Sequence, residues 1–304
     1  MQDSTQSVAW PQKTRELQTV ILDSTRWNGF PFRDDDIVIV TWGKAGTTWM
    51  QQIVAQFIFG GAEGIPAADL SPFVDLACLP PLAELRAMLE AQQHRRFLKT
   101  HLPVDALAFS PQAKYIYIGR DGRDMLWSWH HHHSIFTEQA YEMMNNAPGR
   151  VGPPLAPPNP DVVQYFRDWL ENDGAPFQPF WSHVQGWWNI RHLPNVLLVH
   201  FNNLKADLED EMRRLADFLG FEFAETVWPT LVEHCTFDYM KKNASALSKM
   251  WDLAFQGGGQ SFIHKGTNGR WRDVLPQADI QNYERAARAN LTDDCARWLA
   301  TGEM

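Results

Sequence analysis

The stretch IVIVTWGKAGTTW, Ile37 to Trp49, decides how the rest of the chain is read. Its first four residues are β-branched and apolar, and they follow the charged run Arg33-Asp34-Asp35-Asp36, the pattern of a short buried strand. The strand feeds a turn with Gly43 and Gly46 on either side of Lys44, and Thr47 and Thr48 open a helical segment reaching about residue 59. Glycines let backbone N–H groups come close to an anion, and a helix N-terminus adds unpaired donors and the positive end of its dipole. Lys44 adds a point charge and the threonines add hydroxyls. This is the chemistry of a phosphate cradle, although the Walker string GxxxxGK[ST] is absent. Taken alone, the turn is equally consistent with a plain strand-to-helix connection.

The same alternation continues along the chain. Strands are expected at 96–99, 115–118 and 196–200, and helices over 123–133 and 207–219. In the last of these Leu208, Met212, Leu215 and Leu219 recur at helical spacing, and Gly220 stands where the helix should stop. With no internal repeat or linker, the pattern predicts an α/β fold: a single domain over 30–304, behind an N-terminal segment 1–29, with a central parallel sheet flanked by helices. Two segments are irregular: 145–160 is too rich in Pro and Gly for a helix or a central strand, and 256–260 (QGGGQ) reads as a flexible stretch just ahead of a basic cluster. Each reads either as a lid over a site or as a surface loop.

The chain has 304 residues, with 27 Lys+Arg against 36 Asp+Glu and a formal net charge of -9. That balance argues against a broad basic face for nucleic acid and leaves room for one small anionic ligand held by local cations. Cys78, Cys235 and Cys295 are odd in number and widely spaced, which suits a reducing compartment. No basic start with an apolar core opens the chain, and no run of about 18 apolar residues suggests a membrane span, so the expected location is the cytoplasm. No GxSxG supports a serine hydrolase. The run His130 to His133 spreads around a helix, so one or two imidazoles lining an acceptor pocket is a better reading than a metal site.

Four ordered motifs carry a family resemblance. Thr41 to Trp49 resembles the 5′-phosphosulfate loop, TYPKSGTTW, of the cytosolic sulfotransferases. Lys99-Thr100-His101-Leu102-Pro103 matches their KTHLP. The stretch YIYIGRDGRDMLWS, Tyr115 to Ser128, resembles their 3′-phosphate motif, and KGTNGRW, Lys265 to Trp271, resembles RKGxxGDW. The matching blocks run from about residue 30 to 285, and the chain resembles a bacterial-like member.

The resemblance implies sulfuryl transfer from 3′-phosphoadenosine 5′-phosphosulfate (PAPS) to a hydroxyl of a small phenolic or alcoholic acceptor, lipid-like alcohols included, with PAP as the other product. No metal and no nucleic acid are expected. It implies His101 as general base, Lys99 on the sulfuryl oxygens and Lys44 on the leaving phosphate oxygen. It implies a nucleotide site built from Lys44, Ala45, Gly46, Thr47, Thr48 and Trp49, from Arg120 and Ser128, and from His264, Lys265 and Gly266. Departures from the family pattern are Ala45 for Ser, Trp42-Gly43 for Tyr-Pro, Phe201 for a Tyr near adenine, and Cys235 for a Thr or Ser, with Thr236 beside it as a substitute. His264 replaces an Arg, and an imidazole only partly charged near pH 7 suggests that this end of the 3′-phosphate site is weaker or pH-sensitive. The family's dimer motif KxxxTVxxxE is not recognisable. The competing readings are a P-loop-type kinase and a nucleotide-binding regulatory protein.

Overall fold

The computed structural model describes residues 8–78 and 80–304, so residues 1–7 of the N-terminal segment lie outside the described residues. Four parallel strands, β1 (Ile37–Val40), β2 (Phe97–Thr100), β3 (Lys114–Gly119) and β4 (Val196–His200), form one sheet in the order β2-β1-β3-β4. Their register pairs Val40 with Thr100 and with Tyr117. Each strand lies within a residue or so of its expected place.

Both faces of the sheet are covered, which is why the strands read as continuous apolar runs. Ile37, Ile39, Phe97, Ile116 and Ile118 pack on one side against α1 (Thr47–Ile58). Val38, Val40, Leu98, Tyr115 and Tyr117 pack on the other with Met125, Leu126 and Trp129 of α2 (Gly122–Ser134). From Leu17 onward the N-terminal segment contributes to this second core, with Leu22 and Trp27 almost wholly buried. The helices after the neighbouring strands β1 and β3 therefore leave on opposite faces. A crevice opens between the carboxyl ends of such strands, and this is where ligands of open α/β sheets bind.

Further helices frame that crevice: α3 (Glu138–Asn145), α4 (Leu208–Leu219), α5 (Phe237–Lys242), α6 (Met250–Ala254) and α7 (Gly258–Phe262). Asp207 caps α4 by accepting from the Asp210 amide, and Gly220 ends it in left-handed backbone at φ 77°. The QGGGQ segment differs from expectation. Gly257 turns at φ 75°, and Gly258 starts the short helix α7. At Gly259 a Cβ would stand 2.8 Å from the Ala244 backbone, so that glycine serves close packing. Residues 146–160 form neither helix nor strand, and none of them lines the crevice, so that segment is a surface loop. Among the described residues no helix is long and apolar enough to cross a membrane.

Candidate active site

The turn after β1 is left-handed at Gly43 (φ 134°), Lys44 (55°) and Gly46 (120°). At Gly46 a Cβ would also approach the Phe201 ring to 3.1 Å, so both backbone and space call for glycine. As N-cap of α1, Gly46 gives the first helical N–H groups no side-chain partner. They stay available at the lining formed by Gly46, Thr47 and Thr48. The Lys44 ammonium sits 4.4 Å from the Phe262 ring centroid and 3.5 Å from His132 Nδ1. Burial, then the charges of Lys99 and Arg120, push its pKa down to about 7.

His101 follows β2, the strand beside β1. Its Nδ1 lies 2.7 Å from the Thr41 carbonyl oxygen. A carbonyl only accepts, so the ring proton is on Nδ1 and Nε2 keeps a free lone pair. Burial, then the charge of Lys99, holds His101 well below the ordinary imidazole pKa, so the ring is neutral at pH 7. Its backbone N–H donates to Asp75 Oδ2 at 3.0 Å, and its carbonyl accepts from Gln178 Nε2 at 3.1 Å. Lys99 lies 4.2 Å from the Phe73 ring centroid, and burial brings its pKa to about 8. Phe73 and Asp75 arrive because residues 72–74 bond along the open edge of β2, Lys99 N–H to the Pro72 carbonyl and Val74 N–H to the Lys99 carbonyl.

Arg120, just past β3, lies 4.2 Å over the Phe201 ring. It donates to the Lys44 carbonyl (3.0 Å), the Thr267 carbonyl (3.1 Å) and Asn268 Oδ1 (2.7 Å), which clasps the 265–271 segment to the phosphate turn. Most of its donors are thus engaged, and a bound phosphate must share or displace these partners. Gly266, at φ 60°, lies where a Cβ would come 2.7 Å from the Phe237 ring. His264 stacks on His131 with centroids 3.7 Å apart. Burial, then His131 and the cations Arg270, Lys265 and Lys241, hold His264 at about 4. It is therefore neutral from pH 6 to 8 in the free protein, and any charge it offers a nucleotide there must be taken up on binding.

One cavity of about 1010 Å³ gathers Lys44, Gly46, Thr47, Thr48, Trp49, Lys99, His101, Arg120, Ser128, Phe201, Thr236, His264, Lys265 and Gly266. Two expected residues are not among its lining. The Ala45 side chain is buried, which leaves it only a backbone role. The Cys235 thiol is buried in the core beneath α1, and its carbonyl accepts from Trp49 Nε1 at 2.7 Å. Thr236 does line the cavity, but its hydroxyl caps α5.

The chain matches the family model for the sulfotransferase domain over residues 34–294. It belongs to the sulfotransferase family. This sulfotransferase is 30% identical to a glycolipid sulfotransferase of Mycobacterium bovis (strain BCG / Pasteur 1173P2), with 94% of each chain covered. It is 28% identical to Sulfotransferase 2B1 of Homo sapiens, over 85% of this chain and 67% of that one. Mouse sulfotransferase SULT7A1 complexed with PAP shares the fold at a TM-score of 0.69 and 20% identity, covering 90% of this chain and 91% of that one. Retinol dehydratase complexed with retinol and PAP shares it at 0.69 and 23%, covering 89% and 85%. The chain is thus a PAPS-dependent sulfotransferase, and the kinase and regulatory readings fall away.

Several residues of the sulfotransferase site were not singled out in the sequence. Asp75, Phe73 and Gln178 lie in irregular stretches with no local pattern. Phe237 and Arg270, both lining the cavity, sit beside or inside quoted motifs, and that adjacency was the available signal. The buried Arg270 Nε has no hydrogen-bond partner, as suits a donor awaiting an anion. Of the histidine run, His131 and His132 line the cavity, while His130 bonds the Asn159 carbonyl and His133 the Tyr165 hydroxyl.

Proposed function

We propose that this sulfotransferase moves the sulfuryl group of PAPS to the hydroxyl of a small phenolic or alcoholic acceptor by in-line displacement, with His101 as general base. The observation that carries the reading is the neutral His101, its Nε2 lone pair free, in one cavity with Lys44 and Lys99. The donor set fits a nucleotide with an anionic group at each end. The uncapped α1 N-terminus with Thr47 and Thr48 would hold the 5′ end, and Arg120, Ser128, Lys265 and Gly266 the 3′-phosphate. Trp49, Phe201 and the exposed Phe237 offer ring faces to the base.

In the step, His101 Nε2 takes the acceptor proton as the acceptor oxygen bonds to sulfur. The bond from sulfur to the phosphate oxygen breaks, and Lys44 stabilises the charge left on that oxygen. Lys99 faces the charge spread over the sulfuryl oxygens. Asp75 and Gln178 act through His101 by holding its backbone. A cytoplasmic location goes with this reading and with the free Cys78, Cys235 and Cys295.

The test is transfer of ³⁵S from PAPS to a panel of phenols and alcohols, alongside calorimetric titration with PAP and with ATP. Transfer to at least one hydroxyl, with PAP bound far more tightly than ATP, is expected. Tight ATP binding with no transfer would overturn the proposal.

A further inference from the structure

Among the described residues nine large apolar side chains are well exposed, and five of them line the cavity that holds His101: Met88, Met143, Phe237, Met250 and Leu253. Apolar side chains exposed singly need no explanation, whereas a set gathered at one opening marks a binding surface. Phe237 lies against Gly266 at the nucleotide end. The other four come from three separate segments: the helix Leu82–Ala91, α3 and α6. Hydrogen bonds fix the frame behind them. Thr137 Oγ1 donates to the Leu253 carbonyl at 2.7 Å, and Ser248 Oγ donates to Asp69 Oδ1 at 2.5 Å.

Further in, the walls are stiff. Trp251 and Phe262 stack with centroids 4.1 Å apart, and Phe255 packs against His132 at 4.8 Å. At the rim three of the four side chains are methionines, unbranched and adaptable, suited to a flexible apolar chain rather than a rigid ring. A compact phenol would fill the ring-lined part and leave the rim in water.

We propose that the acceptor is a long-chain amphiphile whose hydroxyl is presented to His101 while its alkyl tail runs out across Met88, Met143, Met250 and Leu253. This rests on the sulfuryl-transfer reading above and narrows its substrate class. Each methylene that the cavity or rim buries raises kcat/KM by roughly fourfold.

The experiment uses 4-n-alkylphenols from methyl to dodecyl, below their micellar concentrations, so that the nucleophile stays constant while the tail grows. Sulfation from PAPS and binding, read by tryptophan fluorescence with PAP present, are followed for the wild type and a Met250→Gln/Leu253→Gln variant. The expected result is a kcat/KM that keeps climbing beyond the butyl member, with the variant losing far more on long tails than on short ones. A plateau or fall after butyl, or equal losses on short and long tails, overturns the proposal. If no phenol is sulfated, the transfer reading fails instead, and the chain-length dependence of binding still decides whether the rim holds a tail.

Discussion

The His101 Nδ1 lies 2.7 Å from the Thr41 carbonyl oxygen, which fixes one tautomer and leaves Nε2 free to accept a proton. Since burial and Lys99 hold this imidazole well below its ordinary pKa, the base form persists through weakly acidic solution. The rate needs the unprotonated ring, so it is retained above the His101 pKa and lost as pH falls through it. We expect no acid limb from His101 between pH 7 and 6, and ¹⁵N NMR should show a neutral ring protonated at Nδ1. An imidazolium at pH 6.5 would refute this.

Lys44, at about 7 in the free protein, is largely neutral at pH 8. A bound phosphate favours the ammonium form, so PAP binding should take up a proton between about pH 7 and 9, and affinity should fall as pH rises through that window. Calorimetry in buffers of different ionisation enthalpy measures the uptake directly. Lys44→Met should abolish most of it, and should lower kcat by about 100- to 1000-fold.

At Gly266 both the φ of 60° and the 2.7 Å approach of a Cβ to Phe237 oppose any side chain. Gly266→Ala should weaken PAP binding by roughly tenfold, equivalent to about 1–2 kcal/mol of local strain. The same strain is present in the folded chain without nucleotide, so its melting temperature should also fall, by a few degrees. An unchanged Kd for PAP would separate Gly266 from the nucleotide site.

The ion pair of Arg96 with Asp36, at 2.5 Å, is almost wholly buried, and Arg96 Nε adds a second bond at 2.7 Å. The pair joins the starts of β1 and β2, the strands that carry Lys44 and His101. Asp36→Ala strands a buried guanidinium and should cost about 3–5 kcal/mol by urea denaturation. A loss below about 1 kcal/mol would mean the pair is dispensable for setting those strands.

The sheet was legible because each strand is buried on both faces and so forms an unbroken apolar run, and the phosphate turn because its glycines and Lys44 are contiguous. What could not be read was contact across the chain. Asp75 reaches His101 only because residues 72–74 add to the β2 edge. The Arg120 clasp depends on Thr267 and Asn268, almost 150 residues away. Cys235 stands where the family has a Thr or Ser, yet its thiol turns into the core beneath α1, and a motif position does not reveal which side of the backbone faces the core. The glycines of 256–260 suggested mobility, whereas Gly259 answers to the nearby Ala244 backbone.

Whether His101 is the base in sulfuryl transfer is decided by the initial rate of ³⁵S transfer from saturating PAPS to a phenol, compared between wild type and His101→Ala. The variant should lose about 100- to 10,000-fold in kcat while keeping its PAP affinity. Undiminished transfer by a folded His101→Ala protein would contradict it.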